Sequence, residues 1–218
     1  MAGCCDPNGC EEIFGERFAR RVARRYRRRG LGRTATTLVD FLADGRGAHL
    51  TGATVLEIGG GVGEIGIELL RRGAASVTEV ELSTSYDEEA RRLADAAGVG
   101  DRVERRILDI AEAPDEVEPA DLVVLHRVVC CYPDVERLLG AAADLCRARL
   151  AFSHPPRNLA TRTLLKVENA ACAVMRKEYR AYLHPPVVMR DVLRAHGLDP
   201  VMRQAGVVWH TQGAVRVA

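Results

Sequence analysis

A cluster of glycines that follows a short β-branched stretch constrains the fold of this chain more than any other feature. The stretch is Thr54–Ile58, and glycine occupies four of the next five positions, namely Gly59, Gly60, Gly61 and Gly63. Directly after it comes a helical pattern through Ile65, Leu69 and Leu70. Glycine lets the backbone turn tightly and approach a bound ligand closely. The pattern therefore predicts a strand, a ligand-binding loop and a helix in succession.

The acid Glu57, two residues before the first glycine, limits which ligand the loop suits. Dinucleotide-binding folds carry G-x-G-x-x-G in this place and hold a pyrophosphate at the helix N-terminus. This chain instead reads E-x-G-G-G-x-G. A carboxylate there would repel a pyrophosphate and attract an ammonium or sulfonium group. The loop is therefore expected to bind a ligand that carries a positive charge.

Short apolar stretches alternate with amphipathic ones along the rest of the chain. The predicted strands are Thr54–Ile58, Ser76–Leu82, Arg102–Leu108, Ala120–His126, Arg149–Ser153 and an antiparallel pair, Pro200–Gln204 and Val207–Val217, joined at Ala205–Gly206. The predicted helices include Thr34–Ala43, Thr84–Ala97, Pro133–Cys146, Leu159–Tyr182 and Val187–His196. This alternation predicts an α/β fold with a doubly wound, mostly parallel sheet of seven strands and right-handed crossovers.

Acidic residues also mark the ends of the second and third predicted strands. Glu81 closes the second strand about twenty residues after the glycines, where such folds hold ribose hydroxyls. Glu79 is its rival, two residues earlier on the same side of the strand. Asp109 follows the third strand and is placed to accept an adenine amino group. Because ligands of open parallel sheets bind beyond the carboxyl ends of the strands, Glu57, Glu81 and Asp109 are expected to face one site.

With these motifs, residues 50 to 155 resemble the class I S-adenosylmethionine-dependent methyltransferases. The resemblance implies a Rossmann-like sheet of order 3-2-1-4-5-7-6 in which the seventh strand is antiparallel. It also implies S-adenosylmethionine as the cofactor and S-adenosylhomocysteine as its product. The cofactor-binding residues that it implies are Glu57, Gly59, Gly60, Gly61, Gly63, Glu81, Leu82, Asp109, Ile110 and His126.

The segment Leu125–Asp134, after the fourth predicted strand, faces the transferred methyl group in that family. It lacks the Asn/Asp-Pro-Pro-Tyr/Phe signature of enzymes that methylate amino groups of flipped DNA bases, so a small-molecule acceptor is expected. An acceptor with a dissociable proton needs a base, for which histidine is the first candidate. The candidate catalytic residues are His126, Tyr132, Tyr26 and His154, with His184 as a further histidine at the end of a predicted element.

The same segment and the N-terminal helix also resemble, more faintly, the magnesium-protoporphyrin O-methyltransferases. Those enzymes place a histidine directly before Tyr-Pro, where this chain has Cys131. They also use an N-terminal tyrosine, which Tyr26 would match. Only a small-molecule methyltransferase of related architecture is carried over, and the methylated atom, whether O, N or S, stays open.

Nine arginines and a single acid lie between Glu16 and Arg33, although the whole chain has a net charge of +1. Apolar residues recur every four positions in this segment, which predicts an amphipathic helix; they are Phe14, Phe18, Val22 and Tyr26. The arginine face leaves two alternatives open: an RNA methyltransferase that binds phosphates there, and a non-catalytic cofactor-binding module that acts through partner contacts. The balanced net charge argues against nucleic acid as the partner, and the oligomeric state is not indicated.

A single domain is predicted, with a helical lid over residues 1–48 and the cofactor-binding α/β core over residues 49–218. The longest apolar run, Ala170–Met175, is far shorter than the about 20 residues that a membrane span needs. Seven cysteines, an odd number, fit free thiols in the cytoplasm better than a disulfide framework.

Five of these cysteines support a separate hypothesis. Three precede the lid helix and two follow the fourth predicted strand, namely Cys4, Cys5, Cys10, Cys130 and Cys131. If they converge on the pocket, they could bind a thiophilic metal or metalloid, because soft ligands select soft ions. Their spacing is not that of a zinc site, and no metal ligand is assigned.

Overall fold

The computed structural model describes residues 9–10, 13–44 and 50–217. The strands are β1 Thr54–Ile58, β2 Ser76–Glu81, β3 Val103–Ile107, β4 Ala120–Leu125, β5 Cys146–His154, β6 Leu198–Gln204 and β7 His210–Arg216. The helices are α1 Glu16–Arg29, α2 Arg33–Ala43, α3 Glu64–Arg71, α4 Asp87–Ala96, α5 Val135–Asp144, α6 Leu159–Val174 and α7 Pro186–Ala195. None of the helices in these ranges is both long and apolar enough to cross a membrane.

The seven strands form one sheet of order β3-β2-β1-β4-β5-β7-β6, which confirms the order that the resemblance implies. The first five strands are parallel, and β7 pairs antiparallel with both β5 and β6. The order of strand addition reverses at β1, because β2 and β3 are added on one side of it and β4 and β5 on the other. This switch point is where ligands bind in open α/β sheets.

Two apolar layers cover the two faces of the sheet. Successive residues of β1 show this, since Val55 packs with the layer of α1–α4 while Leu56 packs with the layer of α5 and α7. In β4, Leu122 packs with the layer of α1–α4 and Val123 with the layer of α5 and α7, and neither is accessible to solvent. Strands buried on both faces explain the continuous apolar runs in the sequence.

The two N-terminal helices pack differently, because α2 lies on strands β5 and β7 whereas α1 packs against α4. Helix α1 buries Ala19, Ala23 and Tyr26 and turns its arginines outward. It ends at Gly30, where a φ of 65° suits glycine and the N–H donates to Tyr26 O at 2.8 Å. Helix α2 is held to β5 because Arg149 Nη1 donates to Phe41 O at 2.7 Å.

The predicted helix Leu159–Tyr182 is too long, since α6 ends at Val174. Arg176 adopts a positive φ of 56°, and the chain then runs back beside α6. The side chain of Asn169 fixes this return, because it accepts from Ala181 N and donates to Ala181 O, both at 2.8 Å. Because the backbone N–H and C=O of Ala181 are hydrogen-bonded to this side chain, they need no hydrogen-bond partner within a helix.

Other element boundaries also differ from the predicted ones, and two of these differences affect the loops between elements. The predicted helix Pro133–Cys146 stops at Asp144, because Cys146 already pairs with Ala120 as the first residue of β5. The closing pair is joined by a longer loop than predicted, and β7 begins only at His210. The residues from Val207 to Trp209 are thereby released from the sheet.

Candidate functional site

A cavity of about 580 Å³ lies beyond the carboxyl ends of β1, β2, β3 and β4. The three predicted strand-end acids, Glu57, Glu81 and Asp109, all line it. The other predicted cofactor-binding residues that line it are Gly59, Gly60, Gly61, Leu82, Ile110 and His126. The structure therefore brings together at one edge residues that the sequence spreads over 70 positions. We call this part of the cavity the cofactor end.

The glycine loop is shaped by close contacts that leave no space for a side chain. Gly59 has a φ of 65°, and a Cβ there would lie 2.4 Å from Cγ2 of Val128 in the loop after β4. Gly63 has a φ of 75° at the start of α3, and its Cβ would lie 2.1 Å from Oε1 of Glu79. Gly63 does not line the cavity itself, so its role is to let the loop close over Glu79.

Glu57 is only 3% exposed and uses its carboxylate to hold the start of α3. Its Oε2 accepts from Gly66 N at 2.7 Å. Burial, and next the neighbouring carboxylate of Glu79, raise the pKa of Glu57 well above its usual value. A positively charged group bound beside it would offset both effects.

Glu81 supports the loop from the next strand. Its Oε2 accepts from Gly61 N at 2.9 Å, and its Oε1 accepts from Leu82 N at 2.8 Å. Burial raises the pKa of Glu81, while these two N–H groups act in the opposite direction. The carboxylate is thus fixed at the cavity wall, where the resemblance implies a ribose contact.

Glu79, the alternative to Glu81 for the ribose contact, forms an ion pair outside the cavity. Its Oε2 accepts from Arg105 Nη1 at 2.7 Å, and Arg105 also binds Asp87 through Nε at 2.6 Å. This ion pair lies behind the glycine loop, and Glu79 does not line the cavity. The geometry therefore supports Glu81 over Glu79 for a contact to the ligand.

Tyr132 lies at the cofactor end rather than beside a methyl acceptor. Its hydroxyl donates to Asp109, at 3.0 Å from Oδ2 and 3.2 Å from Oδ1, and Ala111 N donates to Oδ1 at 3.0 Å. Burial and the carboxylate of Asp109 raise the pKa of Tyr132 above its usual value. The arrangement orients Asp109, which makes Tyr132 a positioning residue.

His126 lines the cavity, but its environment does not favour the predicted role as a base. Burial, with the charges of Arg127 and Arg25, lowers the pKa of His126 to about 3. Its Nδ1 lies 2.9 Å from Oγ of Ser153, and that hydroxyl already accepts from Arg127 N at 2.9 Å. A hydroxyl that accepts in this way has its own proton to donate, which favours the tautomer with a proton on Nε2.

Two predicted catalytic residues lie outside the cavity. The hydroxyl of Tyr26 is 3.5 Å from Oε2 of Glu68 and 3.2 Å from Nη1 of Arg71, on the outer side of α3. His154 is 3% exposed and is held within the sheet by Pro155 O and by the Gln212 side chain, both at 2.9 Å. Each is held by structural hydrogen bonds, so the geometry does not support a catalytic role for either.

His184, the further histidine considered, is also held structurally. Its Nε2 lies 2.9 Å from Tyr132 O. Burial lowers its pKa, and the backbone carbonyls beside it act in the opposite direction. It therefore supports the loop after β4 from the segment that precedes α7.

Much of the remaining cavity wall is apolar, although Glu64, Thr161 and Glu168 also line it, and the sequence patterns predict little of this wall. We call it the acceptor end; it comprises Phe14, Phe18 and Val22 of the α1 segment, Leu164 and Leu165 of α6, and Val207, Val208 and Trp209 before β7. Arg127 adds a cation to this wall, with its guanidinium 5.2 Å from the centre of the Trp209 ring. Its φ of 64° is unusual for a residue other than glycine and is found at functional sites. The four-residue spacing of Phe14, Phe18 and Val22 was the one available signal.

Three of the five hypothesised thiols do meet in the cavity wall, those of Cys10, Cys130 and Cys131. Cys4 and Cys5 lie outside the described residues. Within the described ranges, no three His, Cys, Asp or Glu side chains are arranged to hold a metal ion.

Comparison with known proteins agrees with this geometry. Residues 55–149 match the family model of a methyltransferase domain. The magnesium protoporphyrin IX methyltransferase of Synechocystis PCC 6803, crystallised with bound S-adenosylhomocysteine, superposes with a TM-score of 0.69 at 23% identity, over 96% of this chain and 93% of that chain. An O-methyltransferase family protein from Burkholderia thailandensis gives 0.68 at 19% identity, over 98% of this chain and 64% of that chain. A geranyl diphosphate methyltransferase in complex with S-adenosylmethionine gives 0.65 at 16% identity, over 84% of each chain.

Residues 55–149 thus match a methyltransferase domain, and the solved structures share the fold of the chain. Both findings agree with the predicted class, an S-adenosylmethionine-dependent methyltransferase. The predicted fold, enzyme class and cofactor are confirmed at this level. No curated protein matches the chain in sequence.

Proposed function

We propose that this methyltransferase transfers the methyl group of S-adenosylmethionine to a small, largely apolar acceptor that enters between α1, α6 and the loop before β7. The observation that supports this best is the continuity of one cavity from the glycine loop to an apolar and aromatic wall. Its volume of about 580 Å³ lies in the range of small-molecule sites. The structural neighbours include a porphyrin and a geranyl diphosphate methyltransferase.

The residues at the cofactor end fit the proposed cofactor. Glu57 would face its cationic aminoacid and sulfonium portion, Glu81 its ribose hydroxyls and Asp109 its adenine amino group. Leu82 and Ile110 would contact the adenine ring, and Gly59, Gly60 and Gly61 would let the loop backbone approach the cofactor closely. When bound, the cofactor supplies an activated methyl group.

The contribution of this chain to the transfer is alignment and exclusion of water. The apolar acceptor end would hold the nucleophile in line with the methyl group, an effect of about 7–11 kcal/mol in well-oriented model reactions. Burial lowers the pKa of His126 to about 3, which makes its imidazole a weak base, so it would donate a hydrogen bond rather than remove a proton. An acceptor that is already nucleophilic at neutral pH suits such a site.

The helix α1 would act as the predicted lid, because its apolar stripe closes one side of the cavity. No arginine of α1 lines the cavity, which favours a small acceptor over RNA. No disulfide joins the cysteines of the described residues, and the proposal keeps the cytoplasm as the location of the protein. These assignments are part of the same proposal.

The test is a methyl-transfer assay with labelled S-adenosylmethionine and a panel of small acceptors bearing carboxylate, phenol, amine or thiol groups. Calorimetry with S-adenosylhomocysteine is run in parallel. We expect product binding and transfer to at least one acceptor class, and no transfer to RNA. Cofactor binding without transfer across the panel would favour the non-catalytic module. Transfer to RNA, with an affinity that falls steeply with salt, would favour the RNA enzyme.

A further inference from the structure

Two adjacent cysteines stand in the cavity wall directly after the strand that faces the transferred methyl group. The sulfurs of Cys130 and Cys131 are 3.8 Å apart, and both cysteines are free. Two further cysteines within the described ranges, Cys146 and Cys172, are buried but do not line the cavity. The adjacent pair therefore differs from cysteines that serve only as small core residues.

Backbone hydrogen bonds hold the two thiols in place. Cys131 N donates to Val128 O at 2.8 Å, which closes a tight turn after β4. Tyr182 N, from the segment that returns beside α6, donates to Cys130 O at 2.7 Å. The peptide between the two cysteines is thus fixed from both sides, and each sulfur also lies 3.7 Å from Arg127 O.

A third thiol, that of Cys10, and the phenol of Tyr179 lie against the pair. The hydroxyl of Tyr179 lies 3.5 Å from Cys131 Sγ, and Cys10 also hydrogen-bonds to this sulfur. Gly9 makes this approach possible, since its φ is 61° and a Cβ would lie 2.8 Å from Tyr179 N. Phe14 N then donates to Cys10 O at 2.8 Å and anchors the segment to the start of α1.

The surroundings favour the reactive form of one thiol. Hydrogen bonds from Cys10, Cys130 and Tyr179 hold the pKa of Cys131 well below its usual range. Cys130, as the donor in this arrangement and a buried group, has a raised pKa. A thiolate beside a thiol, at a fixed distance in an apolar cavity, is suited to a soft electrophilic centre.

We propose that Cys130 and Cys131, covered by Cys10 and Tyr179, form a dithiol subsite at the acceptor end that binds compounds carrying a trivalent metalloid centre such as arsenic(III). Two sulfur–arsenic bonds form and the arsenic–oxygen bonds break. The oxygen leaves as water with two protons, one from the Cys130 thiol and one from solvent in place of the proton that Cys131 has already released, and no oxidation state changes. Two thiols suffice for this chemistry, which agrees with the absence of a three-ligand metal site among the described residues.

The test uses phenylarsine oxide and intact-protein mass spectrometry on the Cys4→Ser/Cys5→Ser protein. These two substitutions remove an adjacent pair that lies outside the described residues and could itself chelate the probe. We expect one phenylarsenic group per chain, released by the dithiol 2,3-dimercaptopropanol but not by 2-mercaptoethanol. In this background, Cys131→Ser and Cys130→Ser should each abolish the dithiol-specific adduct. The control variants Cys146→Ser and Cys172→Ser should retain it.

The proposal is overturned if the parent protein takes up no probe, or if Cys131→Ser takes up as much as the parent. Should either serine variant fail to fold, as judged by circular dichroism, alkylation of the folded parent decides: bound probe must protect Cys130 and Cys131 from iodoacetamide. Labelling of both cysteines in the presence of the probe would also overturn it.

The location of this subsite at the acceptor end rests on the proposed function, but probe binding does not. Methyl transfer to the acceptor panel without probe uptake would remove the dithiol subsite alone. Probe uptake without transfer to any acceptor would remove the proposed function alone.

Discussion

The two ends of the cavity are built in different ways. At the cofactor end, carboxylates accept hydrogen bonds from backbone N–H groups, as Glu81 does from Gly61 of the glycine loop and Glu57 from Gly66 of α3. At the acceptor end, apolar side chains stay open to solvent, among them Leu164 at 64% and Val208 at 65% exposure. One end is complete before any ligand arrives, whereas the other leaves apolar surface for a ligand to cover.

This difference follows from which elements supply each end. The cofactor end lies on strands β1, β2 and β3 in the sheet, whose geometry is fixed by neighbouring strands. The acceptor end comes from α1, from α6 and from the loop before β7. Of α6, only Cys172 is buried. Substitutions at the cofactor end should therefore change stability and cofactor affinity together, and those at the acceptor end should change neither.

The largest effect is expected for Gly63→Ala. Both Gly63 and Gly98 have positive φ, 75° and 69°, so alanine at either site costs about 1–2 kcal/mol of backbone strain. Only at Gly63 would the new Cβ meet Glu79 Oε1, at 2.1 Å, while nothing lies within 4 Å of a Cβ at Gly98. We expect an additional loss of about 1–3 kcal/mol from overpacking and displacement of the Glu79–Arg105 pair. Denaturant unfolding of both variants measures this difference.

Equal losses in Gly63→Ala and Gly98→Ala would contradict this account of the loop. S-adenosylhomocysteine titrations supply a second criterion. We expect Gly98→Ala to bind like the wild type, because Gly98 lies after α4, away from the cavity.

Glu81→Gln should weaken cofactor binding by about tenfold to a hundredfold. Hydrogen bonds to a charged group contribute about 1.5–3 kcal/mol, and the amide keeps the shape but loses the charge and one acceptor. The control is Glu112→Gln, which removes the same charge from an exposed pair with Arg137 that does not line the cavity. Calorimetry with S-adenosylhomocysteine compares the two. Similar weakening by both variants would indicate a general field effect instead of a ribose contact.

The sequence predicted the cofactor end well because its signals are local. A strand end, a glycine and an acid a few residues away define where Glu57, Glu81 and Asp109 must lie once the sheet order is known. Tyr132 was predicted to be a catalytic residue, but in the structure its hydroxyl donates to Asp109, 23 positions away in the sequence. Only the tertiary structure shows this contact.

Most of the acceptor end could not be predicted from the sequence, because it depends on pairing between strands that are far apart in the chain. Residue His210 pairs with His154 across β5 and β7, and this brings Trp209 to the cavity mouth beside Pro155. The positive φ of Arg127 could not be anticipated, since glycine is the residue that usually signals it. The low pKa of His126 likewise arises from burial that no local pattern reports.

The pH dependence of stability tests the environment of His154, the buried last residue of β5, which precedes the cavity-lining Pro155. Burial lowers the pKa of His154 to about 4, below the about 6.5 of the unfolded chain. The neutral form is therefore favoured in the folded state, and the stability it contributes is present above pH 6.5 and lost as the pH falls towards 4. Between pH 7.5 and pH 5 this group alone should cost about 2 kcal/mol.

The variant His154→Gln isolates that contribution. The buried carboxylates with raised pKa act in the opposite direction, and they act equally in both proteins. The difference in unfolding free energy between wild type and His154→Gln should therefore shift by about 2 kcal/mol in favour of the variant when the pH falls from 7.5 to 5. A difference that does not change with pH would mean that His154 titrates alike in the folded and unfolded chains.

The smallest effects on stability belong to the acceptor end, and Val208→Ser measures them against Val201→Ser. Both valines are exposed, at 65% and 55%, and only Val208 lines the cavity. Each substitution should change the unfolding free energy by no more than about 0.5 kcal/mol, and cofactor affinity should stay the same. An acceptor that covers Val208 loses about 0.8 kcal/mol for a buried methylene, so KM should rise about fourfold in Val208→Ser alone. A KM that rises equally in both variants would show that the acceptor does not occupy this wall, and the open apolar surface would then need another explanation than substrate binding.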